Sequence, residues 1–103
     1  MIFKVSLSPQ AKLDMTEFII YLHSRSPQSA RKWSRELKIL QKSLEVLPSR
    51  FPRHPHSGII SYRAAIHYLH KVIFRIDEKA KAVTIVRIYH SARKPVEFDS
   101  EVE

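Results

Sequence analysis

The 103-residue sequence contains no cysteine and a single glycine, Gly58. The absence of cysteine excludes a disulfide framework, a thiolate zinc site and a cysteine nucleophile. With one glycine, the chain cannot form the glycine-rich loops that hold phosphate groups in nucleotide-binding proteins. No apolar run approaches the roughly 18 residues of a membrane helix, and the N-terminal residues lack the features of a signal peptide. We therefore expect a cytoplasmic protein that does not span a bilayer.

Acidic residues are also scarce, since 10 Asp and Glu stand against 18 Lys and Arg, for a formal net charge of +8. The segment 50–95 carries ten Lys and Arg, and its acids are Asp77 and Glu78. Four acidic residues then fall within positions 97–103. Such a basic body attracts an anionic partner, which can be nucleic acid, an acidic protein or a membrane surface. The alternative explanation is that the charge serves solubility alone.

Two helices are predicted by the same start signal, Ser-Pro-Gln, at residues 8–10 and 26–28. In each, the serine can cap the helix and the proline occupies the first helical position. The first helix should run from about Pro9 to about Arg25. The second should continue for nearly six turns to Pro48, because apolar residues recur every three or four positions. This apolar stripe comprises Ala30, Trp33, Leu37, Leu40, Leu44 and Leu47.

Strand patterns precede and follow the helical pair. Residues 2–7 alternate between apolar and polar side chains, which predicts a half-buried strand. After a proline-rich loop, residues 62–68 alternate again, with the even-numbered residues on the apolar face and Arg63 and His67 on the other. Segments 72–76 and 83–89 predict two more strands, joined by the polar turn 77–81. The short connections favour an antiparallel meander.

The predicted element order is therefore β-α-α-β-β-β. A helical hairpin with an apolar stripe needs a surface against which to bury it, and the meander with the first strand added supplies one. We predict a two-layer α+β fold in which the helical hairpin packs on an antiparallel sheet. Residues 1–96 should form a single domain, and residues 97–103 an acidic, mobile tail.

Six histidines raise the question of a metal site. His54 and His56 lie in the proline-rich loop, whereas His67 and His70 lie at the end of a strand and should point to opposite faces. Neither spacing is typical of metal ligands, and no cysteine or carboxylate clusters with them. We predict no metal and no cofactor, and interpret these histidines as solvated loop and turn residues.

Basic residues within and after the predicted strands are better candidates for function. They are, in chain order, Arg63, Lys71, Arg75, Arg87, His90, Arg93 and Lys94. Such side chains either line a basic face that binds phosphates or form an ordinary solvated surface. If the bound anion is RNA, His90 or His67 can act as acid or base, and the cations can stabilise charge that develops on the phosphate. No metal is needed for that chemistry.

Several short segments occur in an order and spacing that resemble a known family. They are residues 8–11 (SPQA), 18–22 (FIIYL), 29–33 (SARKW), 44–48, 62–63 (YR), 72–77 (VIFRID) and 83–95 (VTIVRIYHSARKP). The family is the RelE/ParE superfamily of toxins from type II toxin–antitoxin systems, and the resemblance covers about residues 3–96. It implies a toxin that an acidic, partly disordered antitoxin neutralises, in a toxin–antitoxin hetero-oligomer without a membrane partner. The family's antitoxins commonly pack between the helical hairpin and the sheet.

Two targets divide this superfamily. RelE-like members cleave mRNA on the ribosome, and ParE-like members inhibit DNA gyrase without catalytic residues of their own. The RelE-like pattern requires basic residues, which Lys71, Arg75 and Arg93 match, and a tyrosine or histidine near the C-terminus. Phe98 stands in the region of the expected tyrosine, and phenylalanine cannot transfer a proton. The closing segment 90–95 and the long hairpin with Trp33 are more similar to the ParE branch.

The resemblance therefore favours a gyrase inhibitor that is not an enzyme. The residues expected to bind the target or the antitoxin are Arg63, Lys71, Arg75, Arg87, His90, Arg93, Lys94 and Trp33. The first alternative is a metal-independent, ribosome-dependent mRNA endonuclease, whose catalytic candidates are Arg63, Lys71, Arg75, His90 and Arg93. The second alternative, from a different class, is a non-toxic nucleic-acid-binding domain.

Overall fold

The computed structural model describes residues 2–54 and 61–90, in which two helices pack on one four-stranded sheet. Its elements are, in order, β1 (Lys4–Leu7), α1 (Pro9–Arg25), α2 (Pro27–Ser43), a 3-10 turn (Pro48–Arg50), β2 (Arg63–His67), β3 (His70–Asp77) and β4 (Ala82–His90). The predicted element order and the α+β class are confirmed. The predicted tail, residues 97–103, lies outside the described residues, as do Pro55 to Ile60.

The sheet is mixed, which differs from the antiparallel sheet that the short connections suggested. Its strand order is β1-β4-β3-β2, and β2, β3 and β4 form the predicted antiparallel meander. β1 lies beside β4 in parallel, with Lys4 opposite Ala82 and Leu7 opposite Ile85. The two helices carry the chain from β1 at one edge of the sheet to β2 at the other, and the meander that follows brings β4 back beside β1.

Both helices begin as predicted. The hydroxyl of Ser8 accepts a hydrogen bond from the backbone N–H of Ala11, and that of Ser26 accepts one from Ser29. Each serine thus satisfies an N–H group that the first helical turn leaves without a partner, and such a cap contributes about 1 kcal/mol. Ser26 also closes α1, since its backbone N–H donates to the Leu22 carbonyl. One residue therefore joins the two helices.

The second helix ends earlier than its apolar stripe suggested. α2 stops at Ser43, and the stripe stays buried only as far as Leu44. Leu47 is 68% exposed and adopts a left-handed φ of 48°. A proline disfavours the right-handed helical conformation for the residue before it, so Leu47 cannot continue the helix. The guanidinium of Arg50 donates to carbonyls at this end of the helix, including those of Ser43 and Leu47.

The main core lies between the helices and one face of the sheet. Trp33 and Leu37 of α2 pack there with strand residues of β3 and β4 such as Phe74 and Ile85. A second, smaller cluster covers the opposite face of the sheet and consists of Tyr62, Ile73, Val86, Tyr89 and the partly buried Ala64. The sheet is therefore buried on both faces over part of its area.

β2 has the opposite orientation to the predicted one, with its odd-numbered residues towards the helices. The even-numbered residues were expected to face the core, yet Ile66 is 63% exposed. Ala65 and His67 are buried instead, and Ala65 joins the cluster beneath the helices. Because both faces of this strand contact apolar neighbours, alternation alone does not indicate which face meets the helices.

Candidate functional site

A cleft of about 460 Å³ opens where the end of α1, the start of α2, the β2–β3 turn and the end of β4 meet. We call it the aromatic cleft and define it by the ring-bearing residues that line it, which are Phe18, Tyr21, Trp33, Tyr68, His70 and His90. A second cavity of about 350 Å³ adjoins it along α1, sharing Phe18, Tyr21 and both histidines and adding Asp14 and Glu17. The two cavities therefore adjoin at shared rings, and the acids Asp14 and Glu17 lie at the α1 end, whereas Lys32 lines the aromatic cleft.

Ring contacts hold the floor of the aromatic cleft. The Phe18 ring centroid lies 4.2 Å from that of His70 and 4.9 Å from that of Trp33. Trp33 also contacts His67 edge-on, with the centroids 5.0 Å apart, and His70 contacts His90 at 5.5 Å. Such interlocked rings give a well-defined shape, because each pair is restricted to tilted or edge-to-face arrangements.

His67 and His70 are buried, so the prediction that they are solvated residues on opposite faces is wrong. The residues between them, Tyr68 and Leu69, form a two-residue hairpin loop, which makes His67 and His70 directly opposed partners. Tyr68 adopts a φ of 56°, as the first loop position of such hairpins requires. Directly opposed residues share a face, and here that face meets α1 and α2. The His67 Nε2 atom lies 3.1 Å from the carbonyl oxygen of Trp33.

His54 is a third buried histidine, on the opposite side of the sheet. Its Nε2 atom lies 3.2 Å from the hydroxyl of Tyr89. Burial raises the pKa of the Tyr89 phenol above its usual range, because desolvation disfavours the phenolate. His56, the other loop histidine, lies outside the described residues.

The rim of the aromatic cleft carries one polar contact between layers. The hydroxyl of Tyr68, in the β2–β3 turn, donates a hydrogen bond to the carboxylate of Glu36 on α2. This hydrogen bond raises the pKa of Tyr68, since the phenolate would lie beside a carboxylate. The contact ties the hairpin turn to the helix while Leu69, 67% exposed, stays available on the rim.

Arg87, one of the predicted binding residues, is engaged inside the fold. Its Nε atom lies 2.8 Å from Oδ2 of Asp14, and its Nη2 atom lies 3.3 Å from Oδ1 of the same carboxylate. Both side chains are about nine-tenths covered, with 12% and 8% of their surfaces exposed. Asp14 also accepts the backbone N–H of Ile88 at 2.9 Å. The arginine therefore contributes to holding α1 on β4.

The remaining strand cations do not converge on one place. Arg63 lies opposite Phe74 on the helical side of the sheet, and its Nη1 atom donates to the Phe51 carbonyl at 2.7 Å. Lys71 and Arg75 alternate with the core residues of β3 and so belong to the opposite face. Within the described residues, the buried Nε of Arg75 has no hydrogen-bond partner. Arg93 and Lys94 lie outside the described residues, so their predicted roles stay predictions.

Of the predicted residues, Trp33 and His90 are the two that come together in the aromatic cleft. The sequence analysis missed Phe18, Tyr21 and His70 as cleft residues. For His70 a signal was present, because a two-residue loop at 68–69 makes His67 and His70 directly opposed. Across residues 2–54 and 61–90, no three His, Asp or Glu side chains converge in a way that could hold a metal ion. In the same residues no helix is long and apolar enough to cross a membrane.

The fold is similar to three solved structures of toxin–antitoxin systems. The chromosomal ParDE system of P. aeruginosa gives a TM-score of 0.70 at 17% identity, over 86% of this chain and 96% of that chain. The RelBE2 complex of Mycobacterium tuberculosis gives 0.59 at 21% identity, over 90% and 95%. The archaeal RelE–RelB complex of Pyrococcus horikoshii gives 0.58 at 17% identity, over 91% and 100%. At these identities the likeness shows the fold alone.

The sequence itself carries the family assignment. No curated protein matches it significantly. Residues 5–95 match the family model for the ParE toxin of the type II toxin–antitoxin system parDE. That match extends from β1 through the whole helical hairpin and sheet and thus spans most of the chain. The protein therefore belongs to the ParE toxin family of type II toxin–antitoxin systems.

Proposed function

We propose that this protein inhibits DNA gyrase, acts in the cytoplasm, and is neutralised by an acidic antitoxin that occupies the aromatic cleft. The observation that carries the choice of target is the separation of the catalytic candidates by the sheet. Arg63 and His90 lie on the helical side, whereas Lys71 and Arg75 lie on the other.

Ribonucleolytic chemistry without a metal needs a proton-transfer group and cations within reach of the same phosphate. In this protein a phosphate beside His90 would meet the cleft rings and one cation of the cleft lining, Lys32, while Lys71 and Arg75 would be separated from it by the thickness of the sheet. An inhibitor that works by binding needs no such convergence. The ribosomal alternative is therefore the less supported one.

The antitoxin site is argued from the shape and polarity of the aromatic cleft. Its rings offer pockets for the apolar anchors of a segment that folds on binding, since a few buried anchors supply most of the affinity of such interfaces. The exposed side chains of Tyr68 and Leu69 extend the apolar surface at the rim. The surrounding body is basic, with a net charge of +8, which would steer an acidic partner towards the cleft.

The test is a supercoiling reaction with purified gyrase, ATP and relaxed plasmid, into which the folded protein is titrated. We expect loss of supercoiling and, after detergent, double-strand breaks. The variant Arg93→Ala/Lys94→Ala should stay folded and lose this effect, whereas Lys4→Ala/Lys12→Ala, with the same loss of charge, should keep it.

A parallel reaction with translating ribosomes monitors cleavage of mRNA. Unaffected gyrase together with cleaved mRNA would replace the proposal by the endonuclease alternative. Unaffected gyrase with intact mRNA, from protein that binds DNA, would favour the non-toxic nucleic-acid-binding domain.

A further inference from the structure

The face of α2 that points away from the core carries a row of four cations. They are Arg31, Arg35, Lys38 and Lys42, all exposed, and we call them the α2 basic ridge. At 3.6 residues per turn these positions lie within about 60° of one another around the helix axis. The buried positions Trp33, Leu37 and Leu44 lie on the other side of the same helix. From the first cation to the last, the backbone rises roughly 16 Å.

In the part of the chain that the structure describes, no ion pair neutralises the charge of the α2 basic ridge. Among residues 2–54 and 61–90, the ion pairs join Lys81 to Glu78 and Arg87 to Asp14, and neither involves the ridge. The single acid of α2 is Glu36, whose carboxylate accepts the hydroxyl of Tyr68 on the cleft side. An uncompensated row of like charges raises the local potential and attracts an extended anion.

The chemistry of the ridge fits a phosphate backbone better than an acidic polypeptide. Protein interfaces depend on buried aromatic and apolar anchors, and these are concentrated in the aromatic cleft. Beside the ridge, the large apolar side chains are Ile39 of α2 and Ile19 of α1, and no aromatic residue lies among the four cations. Because single strands are bound mainly by stacking of bases on aromatic rings, the ridge also fits a duplex better than a single strand.

The length of the ridge matches such a ligand. A roughly 16 Å ridge spans about five base pairs of B-form DNA at 3.4 Å each, so its cations can reach those phosphates of a strand that face the helix. We propose that the α2 basic ridge binds the backbone of duplex DNA without sequence preference. This inference goes beyond gyrase inhibition and does not require it, because the ridge would bind DNA in the absence of any other protein.

The experiment is fluorescence anisotropy of a labelled 20-base-pair DNA duplex, with potassium chloride varied from about 50 to about 200 mM. The ridge variant is Arg35→Gln/Lys38→Gln/Lys42→Gln. The matched control is Lys4→Gln/Lys12→Gln/Lys79→Gln, which removes the same charge from β1, α1 and the β3–β4 turn. All six side chains are exposed, so both variants should fold, and circular dichroism checks this.

Each phosphate contact contributes about −0.9 to the slope of log K against log salt. We expect the ridge variant to lose roughly two to three units of slope and more than tenfold in affinity near 100 mM salt, and the control variant to lose much less. Equal losses in both variants would overturn the proposal, since net charge alone would then explain binding. So would unchanged binding by the ridge variant, or binding of poly-L-glutamate but not of DNA. Because no gyrase is present, this result is independent of the supercoiling test.

Discussion

Asp14 of α1 and Arg87 of β4 form a nearly buried ion pair, with 2.8 Å between Oδ2 and Nε. The pair stands where β1 ends and β4 has a bulge, since the register between β3 and β4 shifts at Ile73 and Phe74. Here Asp14 also accepts a hydrogen bond from the backbone N–H of Ile88. The pairing of β1 with β4 ends at Ile85, so β1 does not pair with Ile88. One carboxylate thus pairs with the guanidinium and also accepts the backbone N–H at the edge of β4.

The first prediction concerns this ion pair. Asp14→Ala removes the carboxylate that accepts from the Arg87 guanidinium and from the Ile88 N–H, so we expect a loss of about 3–5 kcal/mol in the free energy of unfolding. Urea melts measure it, and Glu17→Ala, an exposed acid on the same helix, should cost less than about 0.5 kcal/mol. A double-mutant cycle with Arg87→Ala isolates the coupling. A coupling near zero would return Arg87 to the set of available binding residues.

The second prediction uses the early end of α2. Leu37 is 1% exposed, so Leu37→Ala should cost about 2–5 kcal/mol through lost burial and the cavity left behind. Leu47→Ala removes the same atoms from a residue that is 68% exposed and should change stability by less than about 0.5 kcal/mol. Denaturant melts of the two variants side by side decide the point. Similar losses at both positions would mean that α2 continues towards Pro48.

The third prediction concerns alkaline pH. The folded state binds the Tyr89 proton more tightly than the unfolded chain, because burial raises the pKa of this phenol. The resulting stability is present below the ordinary tyrosine pKa of about 10 and is lost as pH rises through the folded value. We expect the free energy of unfolding to fall as pH rises above about 10, and to fall less steeply in Tyr89→Phe. Urea melts across this range measure both slopes, and equal slopes would contradict the assignment.

The fourth prediction concerns the rim of the aromatic cleft and rests on the proposed antitoxin site. Leu69→Asp places a carboxylate where an acidic partner would bury an apolar side chain, so co-expression of the antitoxin should no longer rescue growth. Leu13→Asp introduces the same charge at another exposed leucine, on α1, and should remain neutralised. Growth assays and co-purification report the outcome. Rescue of both variants would place the antitoxin elsewhere.

Local signals in the sequence predicted the elements well, because caps and hairpin turns act over a few residues. Ser8 and Ser26 begin the helices where expected, and the polar turn after Asp77 joins two strands. The parallel pairing of β1 with β4 was not predicted, since it joins residues almost eighty positions apart and leaves no local trace.

The site was harder to predict than the fold. The cleft depends on which face of β2 meets the helices. When both faces of a strand contact apolar residues, the alternation of apolar and polar residues does not show which face that is. The cleft also depends on the loop at Tyr68 and Leu69, which pairs His67 with His70. Arg63, Arg75 and Arg87 were correctly placed on strands, whereas Lys71, expected between two strands, lies within β3. The separation of these cations by the sheet follows from the packing and not from their positions in the sequence.

The pairing of β1 with β4 has a consequence for how the protein is made. β4 also pairs with β3 and contacts α1, so the last of the four described strands to leave the ribosome is the one against which the earlier elements assemble. A nascent chain that stops before Ala82 lacks the strand that β1 and α1 require, and non-local pairings of this kind form slowly. Folding therefore waits until β4 has been synthesised, and fragments that end before Ala82 should fold poorly.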